Sequence, residues 1–197
     1  MIGPRFAALA ALVGFGIGAA GRVEASLITY TESTLASGTL GSTSFTNALL
    51  TLTFVGDTDN VTHPSAFMYM NSIGTATVTV AGVGTATFTD QIAVYDDQTY
   101  AAGFLDVTNN KHIIDQAGGF HITYDLKTAV GPATGPIYPG TNTAFATDQG
   151  TLVITSAASS GTFTATVTAV PEPSSLVLAL FGLAAPVVAT GLRRRKP

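Results

Sequence analysis

Residues 74–90 read Gly74-Thr75-Ala76-Thr77-Val78-Thr79-Val80, then Ala81-Gly82-Val83, then Gly84-Thr85-Ala86-Thr87-Phe88-Thr89-Asp90. Two near-copies of one alternating segment flank a three-residue break. Period-two alternation in β-branched residues marks a strand with one wet and one dry face. A three-residue loop containing glycine is a common way to close a hairpin. The spacing therefore predicts a hairpin in which Val80 meets Gly84. Thr79 then faces Thr85, Thr77 faces Thr87 and Thr75 faces Thr89. The threonines make a ladder on one face, and Ala76, Val78, Ala86 and Phe88 turn to the core.

The same texture spreads outward. Thirty threonines lie between Ser26 and Val170, and alternation recurs in Leu49–Val55 and Thr162–Thr168. Further strands are predicted at Leu27–Thr31, Ala66–Met70, Ile92–Tyr95, Phe104–Val107, Phe120–Asp125, Ala144–Thr147 and Thr151–Thr155, punctuated by Gly, Asn, Asp and Pro. No segment has the 3.6-residue apolar period of an amphipathic helix. The expectation is an all-β fold, a single antiparallel β-sandwich of about eight to ten strands over residues 26–169. Between Ala129 and Thr143 the texture changes to Gly131-Pro132, Gly135-Pro136 and Pro139-Gly140. That stretch is expected to be a long loop, and Ser156–Gly161 a second, shorter one.

Both ends differ from this body. Arg5 precedes an apolar run of 15 residues, Phe6–Ala20, and Val23-Glu24-Ala25 has the small-x-small form of a processing site. Residues 1–25 therefore read as a signal peptide with Ser26 as the mature N-terminus; cleavage after Ala20 is the alternative. At the other end stand Pro171, Glu172 and Pro173, then 19 uncharged residues from Ser174 to Leu192, then Arg193, Arg194, Arg195 and Lys196. As a helix, that span would measure about 29 Å, close to the thickness of a bilayer core. The basic cluster is a stop-transfer signal that holds its end in the cytoplasm. The prolines on either side of Glu172 hold it extended, a conformation suited to a peptidase.

The order Pro-Glu-Pro, apolar span, arginine-rich end resembles the PEP-CTERM sorting signal of exported Gram-negative bacterial proteins. The resemblance covers residues 170–197 alone. It implies an inner-membrane-anchored precursor, delivered by the export machinery and cut at the Pro-Glu-Pro region by an exosortase, with a product at the cell surface or outside. It further implies an association with exopolysaccharide and biofilm matrix. Proteins with this tail have diverse bodies, so it carries no activity to residues 26–169. A plain, uncut membrane anchor is the alternative.

The charges bound the partners. Six of the eight Lys and Arg lie in the end segments, leaving Lys111 and Lys127 against ten acids in the body, a net charge of −8 with histidines neutral. Such a body is a poor partner for nucleic acid, whose phosphates need Lys and Arg. It is equally unsuited to anionic lipid. The chain has no cysteine, which excludes disulfides, thiol catalysis and cysteine-ligated metal.

No constellation for chemistry stands out. His121, Thr123 and Asp125 are expected to share the polar face of one strand, with Phe120, Ile122 and Tyr124 on the other. His63 precedes Pro64 in an expected turn, His112 near Asp115 is no stronger a signal than that triple, and the body's one glutamate is Glu32. There is no nucleophile elbow, zinc-protease helix or phosphate loop. Asp57, Asp59 and Asn60 form the best metal candidate, because alternating oxygens in a loop suit calcium; the pattern is only a fragment, lacking the glycine and distal glutamate of an EF-hand, and a solvated turn is the simpler explanation, since Asp and Asn favour turns anyway. Otherwise no cofactor is expected. Tyr69, Tyr95, Tyr100, Tyr124 and Tyr138 are candidates for stacking on sugars if exposed.

Three readings follow. The first is a non-enzymatic structural or binding protein of the extracellular matrix, touching exopolysaccharide. The second is a secreted hydrolase with an acidic site, which requires aspartates in a deep cleft. The third is an ice- or crystal-facing threonine surface, which requires a flat, regular, repeated ladder wider than the two strands of the 74–90 hairpin; a twisted threonine face would dismiss it.

Overall fold

The structure is a computed structural model that describes residues 26–169. The signal peptide, the Pro-Glu-Pro motif, the apolar span and the basic cluster lie outside the described residues. The chain forms strands β1 (Ser26–Leu40), β2 (Thr43–Asp57), β3 (Val61–Ser65), β4 (Met68–Asn71), β5 (Gly74–Val80), β6 (Gly84–Thr87) and β7 (Ile92–Asp97). It continues with β8 (Ala101–Asp106), β9 (Lys111–Gln116), β10 (Val130–Pro139), β11 (Ala144–Thr147), β12 (Gly150–Ala157) and β13 (Ser160–Ala169). Two 3-10 turns, Thr58–Asn60 and His121–Thr123, are the helical elements among the described residues.

All pairings are antiparallel, and the strands join into one continuous thirteen-stranded sheet. The all-β, antiparallel expectation holds in this sandwich-like body, while the strands number thirteen rather than eight to ten and join in one continuous sheet. The main path runs β3-β4-β7-β8-β9-β10-β13-β1-β2-β5-β6. β10 is the corner: Val130 to Pro136 pair with β13, and Ile137 to Pro139 pair with β9. Around it the two halves close on one core, which joins Ile28, Tyr30, Leu52 and Phe54 of one half with Val94, Phe104 and Ile114 of the other. Burying each such large side chain contributes about 1.5–3 kcal/mol.

β1 organises the threonine-rich half. Its 15 residues pair with β2 along nearly the whole length. On its other edge it pairs with β13 through Ser33 and with β12 from Ala36. β12 and β13 thus lie end to end along one neighbour, joined at Ala158 and Ser159. In the β5–β6 hairpin Val80 pairs with Gly84, Thr79 with Thr85, Val78 with Ala86 and Thr77 with Thr87, the expected register. Ala76, Val78, Ala86 and Phe88 are buried, as alternation requires. The Thr75–Thr89 rung is absent from the pairing: the Phe88 N–H still donates to the Ala76 carbonyl at 3.0 Å, but Phe88 also bridges Thr147 and the strand then turns to β11. There the Thr89 N–H donates to the Ala146 carbonyl, so the hairpin end is stitched to β11.

The ladder extends far beyond the hairpin. One row runs Thr134 (β10), Thr162 (β13), Ser33 (β1), Thr51 (β2), Thr79 (β5), Thr85 (β6), each residue opposite the next. A second row runs Thr164, Thr31, Thr53, Thr77, Thr87 over β13, β1, β2, β5 and β6. No member of either row is buried. The residues between them on the same strands, Phe163, Glu32, Leu52, Val78 and Ala86, are buried.

Two expectations fail in the other half. Phe120–Asp125 is not a strand: His121–Thr123 is a 3-10 turn, Tyr124 is buried, Ile122 is exposed, and Leu126 has a positive φ of 59°. His121, Thr123 and Asp125 therefore share no strand face. The stretch 129–143 is not a loop either, since most of it is β10. Its prolines survive because β10 changes neighbour along its length, so no proline has to donate to a full ladder. Gly135 is needed there, because a Cβ would lie 2.3 Å from the Ala117 carbonyl oxygen. β9 (Lys111–Gln116) was not anticipated at all.

Candidate functional site

The proposed calcium residues sit at the end of β2. Asp57 caps the 3-10 turn: its Oδ1 accepts the Asp59 N–H at 2.8 Å. Asn71, fully buried, donates from Nδ2 to the Asp57 carbonyl at 3.0 Å. This is the ordinary use of aspartate at a helical N-terminus. Asp59 is exposed and Asn60 half-buried. Among the described residues no three of His, Asp and Glu gather as a metal-ligand group.

The histidines go to three separate places. His63 is exposed and stacks on Tyr69, ring centroids 4.4 Å apart. His121 lies edge-on to Phe120. His112 lies with Nδ1 2.8 Å from Asp115 Oδ2 and 3.0 Å from the Tyr95 hydroxyl oxygen. The Asp115–His112–Tyr95 chain is a connected polar group drawn from two strands, and strand register builds it. Tyr95 of β7 and Asp115 of β9 both pair with Gly103 of β8, so they flank a position with no side chain. A Cβ on Gly103 would meet Asp115 Oδ1 at 2.7 Å. Glycine thus opens the gap that Tyr95 and Asp115 share.

Among the described residues four acids are buried, and one of them, Glu32, lies near Asp115 and Tyr95. Glu32, Asp96 and Asp106 are fully buried and Asp115 nearly so. Both carboxyl oxygens of Glu32 lack a hydrogen-bond partner, as do both of Asp96. Burial above all, and then the nearby Asp115, pushes the Glu32 carboxyl well above the usual range. Burial, then Asp97 and Asp125, pushes Asp96 up to about 8. Asp115 is also raised by burial, against the opposing hydrogen bond of Tyr95 and the nearby His112. The Tyr95 phenol is raised by burial first and by Asp115 next. An unpaired buried carboxyl is far cheaper as the neutral acid, which fits these directions.

What this arrangement can do is limited by access. The acids are enclosed in the packed body rather than gathered in a cleft. A concavity at the surface lies between the β1–β2 turn and the β5–β6 loop, lined by Leu40, Ser42, Thr43, Val83, Gly84, Thr85 and Gln149. Its lining contains no acid and no histidine. Sequence reasoning noted His112 near Asp115 but passed over Glu32 and Tyr95 as their neighbours, yet a signal existed for Glu32. It stands in the run Ile28, Tyr30, Glu32, Thr34, Ala36, every member of which is buried.

The tyrosines divide. Tyr95 and Tyr124 are buried. Tyr100 and Tyr138 are about half exposed and stack on one another, centroids 6.0 Å apart at an interplanar angle of 27°. Tyr100 precedes β8 and Tyr138 lies on β10, so the sheet brings together rings 38 positions apart in the chain.

β13 ends at Ala169. Among the described residues no helix is long and apolar enough to cross a membrane. No curated protein and no solved structure matches the chain. The family model of the PEP-CTERM protein-sorting motif matches residues 169–196. The tail of this chain is therefore a PEP-CTERM sorting motif, the mark of an exported protein processed at the membrane by an exosortase.

Proposed function

We propose that the chain is a surface-sorted, non-enzymatic protein of the extracellular matrix, whose body contacts exopolysaccharide once the tail has been removed. The sorting motif carries this reading: it begins at residue 169, where the last strand of the β body ends. The contact with polysaccharide is assigned to Tyr100 and Tyr138. Two exposed, nearly parallel rings offer apolar faces to a sugar while their hydroxyls stay in water. The excess of acid over base in the body excludes a polyanionic partner and favours a neutral glycan. The enclosure of Glu32, Asp96 and Asp115 supports the non-enzymatic part, since a glycosidase pair must reach its substrate.

Two measurements test it. The intact mass of the protein from the native cell surface and medium should lack Met1–Ala25 and the segment beyond Pro173. A mass that keeps Ser174–Pro197 would mean an uncut anchor. The mature protein should be retained on polysaccharide from the same host, and Tyr100→Ala with Tyr138→Ala should abolish that retention without changing the melting temperature. Shortening of the polysaccharide during incubation would instead establish a hydrolase.

A further inference from the structure

We propose that the threonine face of the sheet is an ice-docking surface, a second binding site distinct from the Tyr100–Tyr138 pair. The narrow hairpin ladder read from residues 74–90 would be too small for this. The register supplies the missing width: hydroxyl residues stand opposite one another across six strands in the Thr134–Thr85 row and five in the Thr164–Thr87 row.

Four observations point to a rigid, uncharged, crystalline partner. First, the hydroxyls repeat in two dimensions. Neighbouring strands lie about 4.8 Å apart, and residues two apart on a strand about 6.6–6.8 Å. A lattice can match such a repeat, whereas a flexible polymer has no fixed period to offer. Second, the side chains are stiff. Threonine is β-branched and restricted at χ1, and buried Tyr30, Leu52, Val78 and Phe163 pack the layer beneath. Third, the central hydroxyls are uncommitted. Thr79 and Thr85 share a hydrogen bond of 2.8 Å at the β5–β6 edge, while Thr31, Ser33, Thr51, Thr53 and Thr77 spend none on side-chain or backbone partners within the described residues. Fourth, neither row contains a charge, although the body's net charge is −8. Asp57 stands opposite Leu27 at the sheet end, and Asp148 reaches only the β6 edge, where it accepts the Thr87 N–H.

Neither row carries an aromatic ring, so the rows lack the stacking platform a sugar would use; Tyr138 lies four residues beyond Thr134 on β10, past the stretch that pairs with β13. Exposed Leu35 and Leu49, paired with each other, continue it with apolar surface. Sheets twist by about 20–25° per strand, so the whole width of the rows cannot lie on a flat lattice; only the few strands at their middle are close enough to one plane to dock. That places the centre of the site on Thr31, Thr53 and Thr77, with Ser33, Thr51 and Thr79 beside them.

The test uses residues 26–169, which contain all thirteen strands and the whole described core. Thermal hysteresis and inhibition of ice recrystallisation are measured for this protein and for Thr53→Lys, Thr77→Lys and Thr79→Lys. Ile122→Lys, an exposed change on the 3-10 turn, serves as the control. Unfolding curves establish that each variant is folded. The proposal expects ice activity in the parent and the control, and its loss in every folded Lys variant at the centre of the face. It is overturned if the folded parent neither shifts the freezing point nor slows recrystallisation, or if Thr53→Lys and Thr77→Lys keep full activity. If the central Lys variants instead lose retention on neutral host polysaccharide while the parent leaves ice untouched, the face belongs to the glycan and the ice assignment falls. Failure of the Tyr100 and Tyr138 variants to affect glycan retention would touch only the matrix reading.

Discussion

The two halves of this sheet solve the same packing problem with opposite sequence patterns. In β1, β2 and β5 buried and accessible residues alternate almost without a break. In β7 and β8 nearly every residue is buried, as are the last four of β9. Alternation is a consequence of one wet face, so it disappears where neither face meets water. The threonine half wears its register openly. The β7–β9 half hides it, and that is also where Glu32's neighbours Asp115 and Tyr95 are lodged. A buried strand that must hold an acid cannot advertise itself as an apolar run either, which is why Lys111–Gln116, with two charges and a histidine, did not read as a strand.

The difference can be broken or sharpened experimentally. The largest effect should come from the dry side of the alternating half. Phe54→Ala removes a fully buried ring that packs on Tyr30 at 6.0 Å, and should cost about 3–5 kcal/mol in urea unfolding. A loss near that of a surface change would mean that the two halves do not share one core.

Next comes the pH response of the half that hides its acids. The Asp96 carboxyl is raised from 3.8 to about 8 in the folded protein. Its contribution to stability is therefore fully present below pH 3.8 and is lost as pH rises through about 8. The slope between these limits is at most about 1.4 kcal/mol per pH unit for one group. Asp96→Asn should remove its share of the slope, so that stability against pH flattens between these limits. An unchanged profile would mean that Asp96 is ionised in the fold.

Gly103→Ala tests the gap beneath Tyr95 and Asp115. The new methyl would sit 2.3 Å from the Ile114 carbonyl oxygen, and the forced shift should cost about 1–3 kcal/mol. The same change at Gly82, whose added Cβ meets nothing within 4 Å, is opposed only by its positive φ of 79°. The smallest effect belongs to the wet face: Thr79→Ala loses one exposed hydroxyl pair and should cost about 0.5–1 kcal/mol or less. A cost comparable with that of Phe54→Ala would show that the threonine face is packed against something.

Much was legible from residues alone. Alternation at 49–55, 74–90 and 162–168 identified the strands, and the three-residue break set the hairpin register. The ladder failed only at Thr75–Thr89, because Phe88, still bonded to Ala76, also bridges Thr147, 59 positions away, and Thr89 bonds Ala146, which no local pattern can announce. The candidate site was legible in part. Glu32 falls on the inward parity of β1, but its partners arrive from strands far along the chain. Tyr100 and Tyr138 gave no sign of meeting. Phe120–Asp125 misled because three polar and three apolar residues alternate by chance there, while Leu126 takes the left-handed conformation that ends the segment in a turn.

The sequence by itself determined the sorting tail, the all-β class, the inward and outward faces of the threonine strands and the loop that joins β5 to β6. These rest on interactions between residues close in the chain, or on the chemistry of a contiguous motif. Only the tertiary structure decided that β10 turns the corner between the two halves, that the acids are enclosed and that two threonine rows run across five and six strands. Each of those depends on which strand lies beside which. That choice is made by the closing of a shared core over long stretches of chain, and the period-two pattern of a single strand records which face it buries but not its neighbour.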